Sequence, residues 1–442
     1  MEGENNMEKG LLLAKKEDSA NTTPLLIFST FIIVSASFTF GAAIGYTADT
    51  MSSIMSDLDL SLAQFSLFGS LSTFGGMIGA IFSAKAASAF GHKMDIIWLD
   101  MGRFLVGIGV GLISYVVPVY IAEITPKHVR GAFTFSNQLL QNCGVAVVYY
   151  FGNFLSWRTL AIIGSIPCWI QVIGLFFIPE SPRWLAKKGR DKECEEVLQK
   201  LRGRKYDIVP EACEIKISVE ASKKNSNINI RSLFEKRYAH QLTIGIGLML
   251  LQQLCGTAGI SSYGSTLFKL AGFPARIGMM VLSLIVVPKS LMGLILVDRW
   301  GRRPLLMTSA LGLCLSCITL AVAFGVKDVP GIGKITPIFC FIGILSFTMM
   351  FAIGMGALPW IIMSEIFPMD IKVLAGSLVT IANWFTGWIA NYAFNFMLVW
   401  SPSGTFIISA IICGATIVFT WCLVPETRRL TLEEIQLSFV NV

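Results

Sequence analysis

The sequence predicts an all-α integral membrane protein built from two similar helical bundles with about eleven spans. Three observations carry this. Of 442 residues, 54% are hydrophobic and only 14% charged, too few polar groups to cover the surface of a soluble chain this long. Apolar runs of about 20 residues, enough to cross a hydrocarbon core of roughly 30 Å, recur from end to end. Backbone groups in lipid must pair within their own segment, so these runs are helices rather than strands. Finally, motifs in the first half return in the second.

In chain order, residues 1–24 are polar and acid-rich, which predicts a cytosolic tail and no cleavable signal peptide. Spans fall near 25–46, 62–84, 96–121, 133–151 and 160–178, forming an N-terminal bundle over 25–178. Residues 179–240 are the long polar stretch, with fifteen Lys and Arg between Arg183 and Arg237. This linker is expected in the cytosol. Spans near 242–264, 277–297, 305–325, 338–362, 374–399 and 405–424 form a C-terminal bundle over 241–424, and 425–442 is a cytosolic tail. The net charge of +7 gathers in loops, so it reports orientation in the bilayer and not nucleic-acid binding. The ten cysteines are scattered, mostly within apolar runs, and Cys314 with Cys317 sits mid-span. They read as small interior residues, with no metal site and no cofactor expected. Gly331-Ile332-Gly333-Lys334 is too short to be a phosphate loop, so a gradient must supply the energy. No nucleophile, metal-ligand cluster or cofactor loop recurs, and the chain is not expected to be an enzyme.

The halves repeat one another. Ala122-Glu123-Ile124-Thr125-Pro126 answers Ser364-Glu365-Ile366-Phe367-Pro368, and Pro179-Glu180-Ser181-Pro182-Arg183 answers Pro425-Glu426-Thr427-Arg428-Arg429. The interval from Glu123 to Pro179 is 56 residues, and from Glu365 to Pro425 it is 60. Upstream, Gly91-His92-Lys93 answers Gly301-Arg302-Arg303, but here the intervals disagree. Arg303 to Glu365 is 62 residues, room for two spans, whereas Lys93 to Glu123 is 30, room for one. The difference of 62 less 30, or 32, says that the first half lacks about one helix and a connection. An odd number of crossings would put the basic linker outside if the amino terminus is inside, against the positive-inside tendency. Either the amino terminus lies on the other side, one run does not span, or the chain is a shortened form of a twelve-helix parent. The last reading is preferred.

Asp298-Arg299-Trp300-Gly301-Arg302-Arg303-Pro304 follows a span directly. An acid at a helix end with arginines in the next turn can form charge pairs that break when bundles separate. A plain cytosolic anchor would need only Arg302 and Arg303. Arg103, at the edge of a span, needs a partner, for which Glu123 and Glu365 are candidates. Gly102, Gly107, Gly109 and Gly111 read as a face for close helix contact.

Gln138, Gln252, Gln253, Trp360, Asn383 and Trp384 lie within apolar spans. Burying an amide costs free energy unless it is hydrogen-bonded. A neutral polyol offers hydroxyl donors and acceptors that match amides, while indole presents a flat face to sugar C–H groups. Helix-to-helix hydrogen bonding is the alternative for any one amide taken alone.

Gly102-Arg103, Pro118 to Glu123, Arg130-Gly131, Pro179 to Trp184, Gln252-Gln253, Asp298 to Arg303 and Pro425-Glu426-Thr427 together resemble the sugar-porter branch of the major facilitator superfamily. Ile113 to Tyr120 and Met363 to Pro368 are similar to the plant early-responsive-to-dehydration type of monosaccharide transporter. The resemblance implies that Gln138, Gln252, Gln253, Trp360, Asn383 and Trp384 line a hexose site between two bundles. It also implies a cytoplasmic charge gate of Arg103, Glu123, Arg130, Glu180, Arg183, Asp298, Arg299, Arg302, Arg303, Glu365 and Glu426, opened and closed by alternating access. Ala258 stands where the family usually has Asn, Ser88 where a counterpart of Asp298 belongs, and Thr47 where proton-coupled members carry Asp. The family's third span is missing.

Asp49 is a candidate proton carrier, although the water-exposed end of the first span is the preferred place for it, which favours facilitated diffusion over symport. Glu8, Leu12 and Leu13 match an acidic dileucine sorting signal, which would bring a sorting adaptor to the tail and favours the vacuolar over the plasma membrane. The expected partners are a sugar and the lipid bilayer, with a proton as the alternative coupling ion. A non-transporting regulatory or truncated form is the rival of another class.

Overall fold

The computed structural model describes residues 23–58, 64–68, 70–72, 95–126, 129–204, 206–224, 236–330, 333–367 and 371–426. Among these the chain is helical, with no strand. The helices are α1 (Pro24–Leu58), α2 (Asp95–Ile124), α3 (Arg130–Phe151), α4 (Trp157–Leu175), the short α5 (Pro182–Lys187), α6 (Asp191–Arg202) and α7 (Val209–Lys224). They continue with α8 (Lys236–Leu254), α9 (Thr257–Leu270), α10 (Ala275–Trp300), α11 (Arg302–Gly325), α12 (Thr336–Met350), α13 (Leu358–Ile366), α14 (Lys372–Trp400) and α15 (Pro402–Leu423). Ten of the eleven expected apolar segments fall on these helices, and the one expected over 62–84 is described, as helix, only at 64–68 and 70–72. Seven helical segments among the described residues are long and apolar enough to cross a membrane.

Two expected spans are each built from two helices. Gly256, at φ 100°, joins α8 to α9. A residue with a Cβ would pay about 1–2 kcal/mol for that left-handed backbone. Five residues of π-helix, Phe351–Met355, with Gly356 and Ala357 join α12 to α13.

Two compact units emerge. One lies within Met1–Phe40, Ile113–Gln141 and Ser165–Asn227. Its membrane part buries Ile33, Val34 and Ala36 of α1 against Val117 and Ile121 of α2. Its polar part is a small amphipathic cluster in which Leu185, Cys194, Leu198, Ala212 and Ile215 of α5, α6 and α7 share a core. Arg202, only 2% exposed, ties the two parts together. Its Nε and Nη2 donate to the Glu211 carboxylate at 2.9 and 2.6 Å, and its Nη1 donates at 2.6 Å to the carbonyl of Ile124, the last residue of α2. A helix end leaves such carbonyls without intrahelical donors and carries partial negative charge, so a guanidinium satisfies both needs. Immediately before α1, Thr23 donates to the Leu201 carbonyl at 2.9 Å.

The other unit lies within Gly41–Leu112, Asn142–Gly164 and Ile228–Val442. Leu248, Tyr263, Phe268, Leu320, Phe347, Leu358 and Phe406 are among its buried core. Of the expected glycine face, Gly107 is in close contact, since a Cβ there would stand 2.2 Å from the Ser72 carbonyl oxygen, while Gly102 and Gly109 face open space.

Candidate functional site

The second unit brings three of the expected amides into one relay. Gln252, 3% exposed on α8, donates from Nε2 to the Met355 and Gly356 carbonyls at 2.7 and 3.2 Å. These carbonyls become available where the π-helix interrupts the regular ladder, a feature that recurs at functional sites. Asn383, 4% exposed on α14, donates from Nδ2 to Gln252 Oε1 at 2.9 Å and touches Met249 Sδ at 3.4 Å. Gln253 then donates from Nε2 to Asn383 Oδ1 at 3.2 Å. The relay therefore ends on Gln253, which is half-buried, and whose Oε1 accepts no hydrogen bond among the described residues. An oriented acceptor at the end of a fixed chain of amides suits a hydroxyl donor.

The π-helix is held from the other side as well. Ser309 of α11 donates to the Met350 carbonyl at 2.7 Å and accepts from the Met355 N–H at 3.0 Å. Nothing in the sequence marks this serine. On α10, a Cβ on Gly293 would lie 2.4 Å from the Ala352 carbonyl oxygen, so that glycine sets how closely α10 approaches the π-helix. Asn142 of α3 donates to Ser290 of α10 at 2.6 Å, another contact that sequence reasoning missed.

The remaining candidates are placed differently. Trp384 is half-buried and Trp360 is 36% exposed. Gln138 belongs to the first unit and its side chain is exposed.

The expected charge gate is described in part. Arg302 Nη2 pairs with Glu365 Oε1 at 2.9 Å, both about one-fifth exposed. Glu426 accepts from the backbone N–H groups of Arg302 and Arg303 at 3.0 and 3.1 Å, so one carboxylate caps the first turn of α11. Gly301, at φ 96°, makes the tight turn that presents those two N–H groups. Arg303 donates to the Trp421 carbonyl at 2.6 Å and lies over its indole at 5.5 Å. In the first half, Ser181 donates to the Glu123 carboxylate while capping α5, and the Tyr120 hydroxyl donates to the Pro179 carbonyl at 2.6 Å. Glu180 and Arg183 are exposed. The side chains of Arg103, Arg130, Asp298, Arg299 and Asp49, and the residues Glu8, Leu12 and Leu13, lie outside the described set.

A cluster that sequence reasoning passed over joins α1 to α4. Asp57 accepts from Trp157 Nε1 at 2.9 Å and pairs with Arg158 at 3.4 Å, and the Arg158 guanidinium lies 4.2 Å over the Trp157 ring.

Helices long and apolar enough to cross a membrane, one of them broken by a π-helix that buried amides clamp, define a multi-pass membrane protein. Its backbone matches the xylose transporter XylE from E. coli in the inward-open conformation, at 22% identity and a TM-score of 0.76 over 93% of this chain and 99% of that one. It also matches the major facilitator superfamily proton:xylose symporter XylE bound to 6-bromo-6-deoxy-D-glucose, at 23% identity and a TM-score of 0.70 over 95% and 100%. The fold is therefore that of the major facilitator superfamily. The sequence model described as "Sugar (and other) transporter" matches residues 31–439, and the chain belongs to that family. It is a transporter and not an enzyme. The sugar transporter ERD6-like 12 of Arabidopsis thaliana is 96% identical over 462 positions, covering 100% of both chains. Since this chain has 442 residues, 462 less 442 leaves at least 20 positions without a counterpart here. Because 442 of 462 is itself 96%, those positions account for the difference between the two chains.

Proposed function

We propose that the substrate is a hexose and that it is bound in the second half beside Gln253. The amide relay carries this reading: Gln252 and Asn383 are satisfied by each other and by the π-helix carbonyls, leaving Gln253 aimed but unsaturated. Trp384 and Trp360 supply the ring faces, with Gln138 as the contribution of the first half. The bundles 25–178 and 241–424 alternate in access around the site, and the cytosolic linker 179–240 and the charge gate act at one face. Of that gate, the Arg302–Glu365 and Glu426 contacts are made within the second half, and Arg103, Glu123, Arg130, Glu180, Arg183, Asp298 and Arg299 are its other proposed members. Uptake of radiolabelled glucose into proteoliposomes should exceed that of the Gln253→Ala variant, and equal uptake by the two would sink the reading.

Facilitated diffusion is the favoured mode, with Thr47 in place of a family Asp as its support. Uptake should then be insensitive to a protonophore and to Asp49→Asn, while loss in both would establish symport, as named for XylE. The vacuolar membrane is the proposed location, through an adaptor at Glu8, Leu12 and Leu13, and relocation on Leu12→Ala with Leu13→Ala tests it.

The alignment favours a second reading. Twenty absent positions amount to one crossing of about 20 residues. Together with the unequal intervals after Lys93, they support a chain that lacks one span near the Lys93–Asp95 junction and does not transport. Comparing uptake by this chain with uptake by the 462-position relative separates the two readings. Equal uptake removes the second reading, and uptake by the longer chain alone removes the first.

A further inference from the structure

Thr23 ties the linker to the first span through a side chain that can be modified. Its hydroxyl accepts from the Leu26 N–H at 3.3 Å, which caps the first turn of α1, and donates to the Leu201 carbonyl at 2.9 Å. Leu201 is the last residue but one of α6, where carbonyls lack intrahelical donors. Beside this bond Leu26, Ile124 and Leu201 are buried together, and a Cβ on Gly203 would lie 3.6 Å from the Thr23 methyl. The start of α1 and the linker helices therefore share one face of the membrane.

Pro24 follows Thr23 directly. Ser or Thr precedes Pro at five places in the sequence, Thr23, Thr125, Ser181, Thr336 and Ser401. Thr125, Ser181 and Thr336 are buried. Ser401 is half-buried, but α8 with α9, α10, α11, α12 with α13, and α14 separate it from the linker, an odd number of crossings that puts it on the opposite face. That leaves Thr23, half-buried and on the linker's face.

A phosphoryl group on Thr23 acts on the two helix ends in opposite senses. It adds a charge of about −1.5 to −2 and puts acceptor oxygens where the donor was. The start of α1 carries partial positive charge and free N–H groups, so it accommodates a phosphate in place of the hydroxyl cap. The end of α6 carries partial negative charge, and its Leu201 carbonyl loses a donor and meets an anion. Neighbouring Arg202 is already committed to Glu211 and to the Ile124 carbonyl. The modification therefore keeps α1 capped and drives α6 away.

We propose that Thr23 is a phosphorylation site for a proline-directed protein kinase, and that its modification releases the linker helices from α1. The Thr23 oxygen attacks the γ-phosphorus of ATP, the bond from that phosphorus to the ADP oxygen breaks, and the hydroxyl proton passes to the kinase's base. Since the hydroxyl is engaged on Leu201 while the linker is docked, the kinase takes the chain with that contact open, and the phosphate keeps it from closing. In a cell the site needs the cytosolic linker proposed above. Detergent makes both faces reachable, so failure there counts against this site and not against that placement.

The test is incubation of the full chain in detergent micelles with a proline-directed kinase and radiolabelled ATP, followed by trypsin, which meets exposed Lys192 and Lys200 on α6. The wild type should take up label, and Thr23→Val and Pro24→Ala should lose it. Cleavage within α6 should be at least about twofold faster in the phosphorylated chain than in the unmodified one, the lower bound for losing one hydrogen bond when cleavage tracks the open population. Thr23→Asp, which caps α1 but has no donor for Leu201, should be cut faster as well, whereas Thr23→Asn, which caps and can donate, should stay close to the unmodified rate. No label on the wild type, label retained in Thr23→Val, or a phosphorylated chain cut no faster than the unmodified one overturns the inference.

Discussion

Replacing Asn383 by Leu is the sharpest probe of the relay. Leu keeps approximately the volume and removes both the donor to Gln252 Oε1 and the acceptor for Gln253 Nε2, at 2.9 and 3.2 Å in the native protein. The two losses are unequal. Gln253 is half-buried and can turn its amide to water, whereas Gln252 is 3% exposed and is left with an unsatisfied carbonyl oxygen. Stranding a buried acceptor costs about 1–3 kcal/mol. If the relay orients Gln253 for the sugar, glucose affinity should fall by roughly five- to a hundredfold, since about 1.4 kcal/mol is tenfold. Adding Gln252→Leu removes the stranded acceptor, so the double variant should be less impaired than the sum of the singles, with a coupling of about 1 kcal/mol. Glucose binding to purified protein, followed by tryptophan fluorescence, would measure all four corners of the cycle. Strict additivity, or unchanged affinity in Asn383→Leu, would refute the idea that these amides work as a unit.

Three further outcomes are expected. Arg202→Met should destabilise the linker helices by about 3 kcal/mol, the low end for breaking a buried pair because Glu211 is 25% exposed, and should make α6 more sensitive to limited proteolysis than the native chain. Gly293→Ala should lower thermal stability by about 1–3 kcal/mol, because the added methyl meets a backbone oxygen that cannot move aside as a side chain would. In the linker, exposed Cys213 should react with a membrane-impermeant maleimide, from the cytosolic side alone if the linker is cytosolic. Buried Cys194, whose thiol is pushed up by desolvation first and by neighbouring Asp191 among the lesser causes, should resist it. Raising the pH should increase the reaction of Cys194, whose raised thiol is still protonated at neutral pH, and equal rates for the two cysteines at neutral pH would contradict the linker core.

The spans were legible because hydropathy over about 20 residues is a property of composition that tertiary contacts seldom override in lipid. The amides were legible for the converse reason: Gln252, Gln253 and Asn383 violate that composition, and a violation needs a cause. What composition cannot show is which carbonyl receives the amide. The π-helix over Phe351–Met355 depends on Ser309 and Gly293, residues of types that are ordinary in any membrane helix, and only their contacts single them out. Arg202 was hidden by the opposite circumstance, a charge within a charged linker, and its burial against the Ile124 carbonyl 78 residues away has no local signature. Arg202 is buried with its charge answered by Glu211 and a helix end, so it fastens the fold.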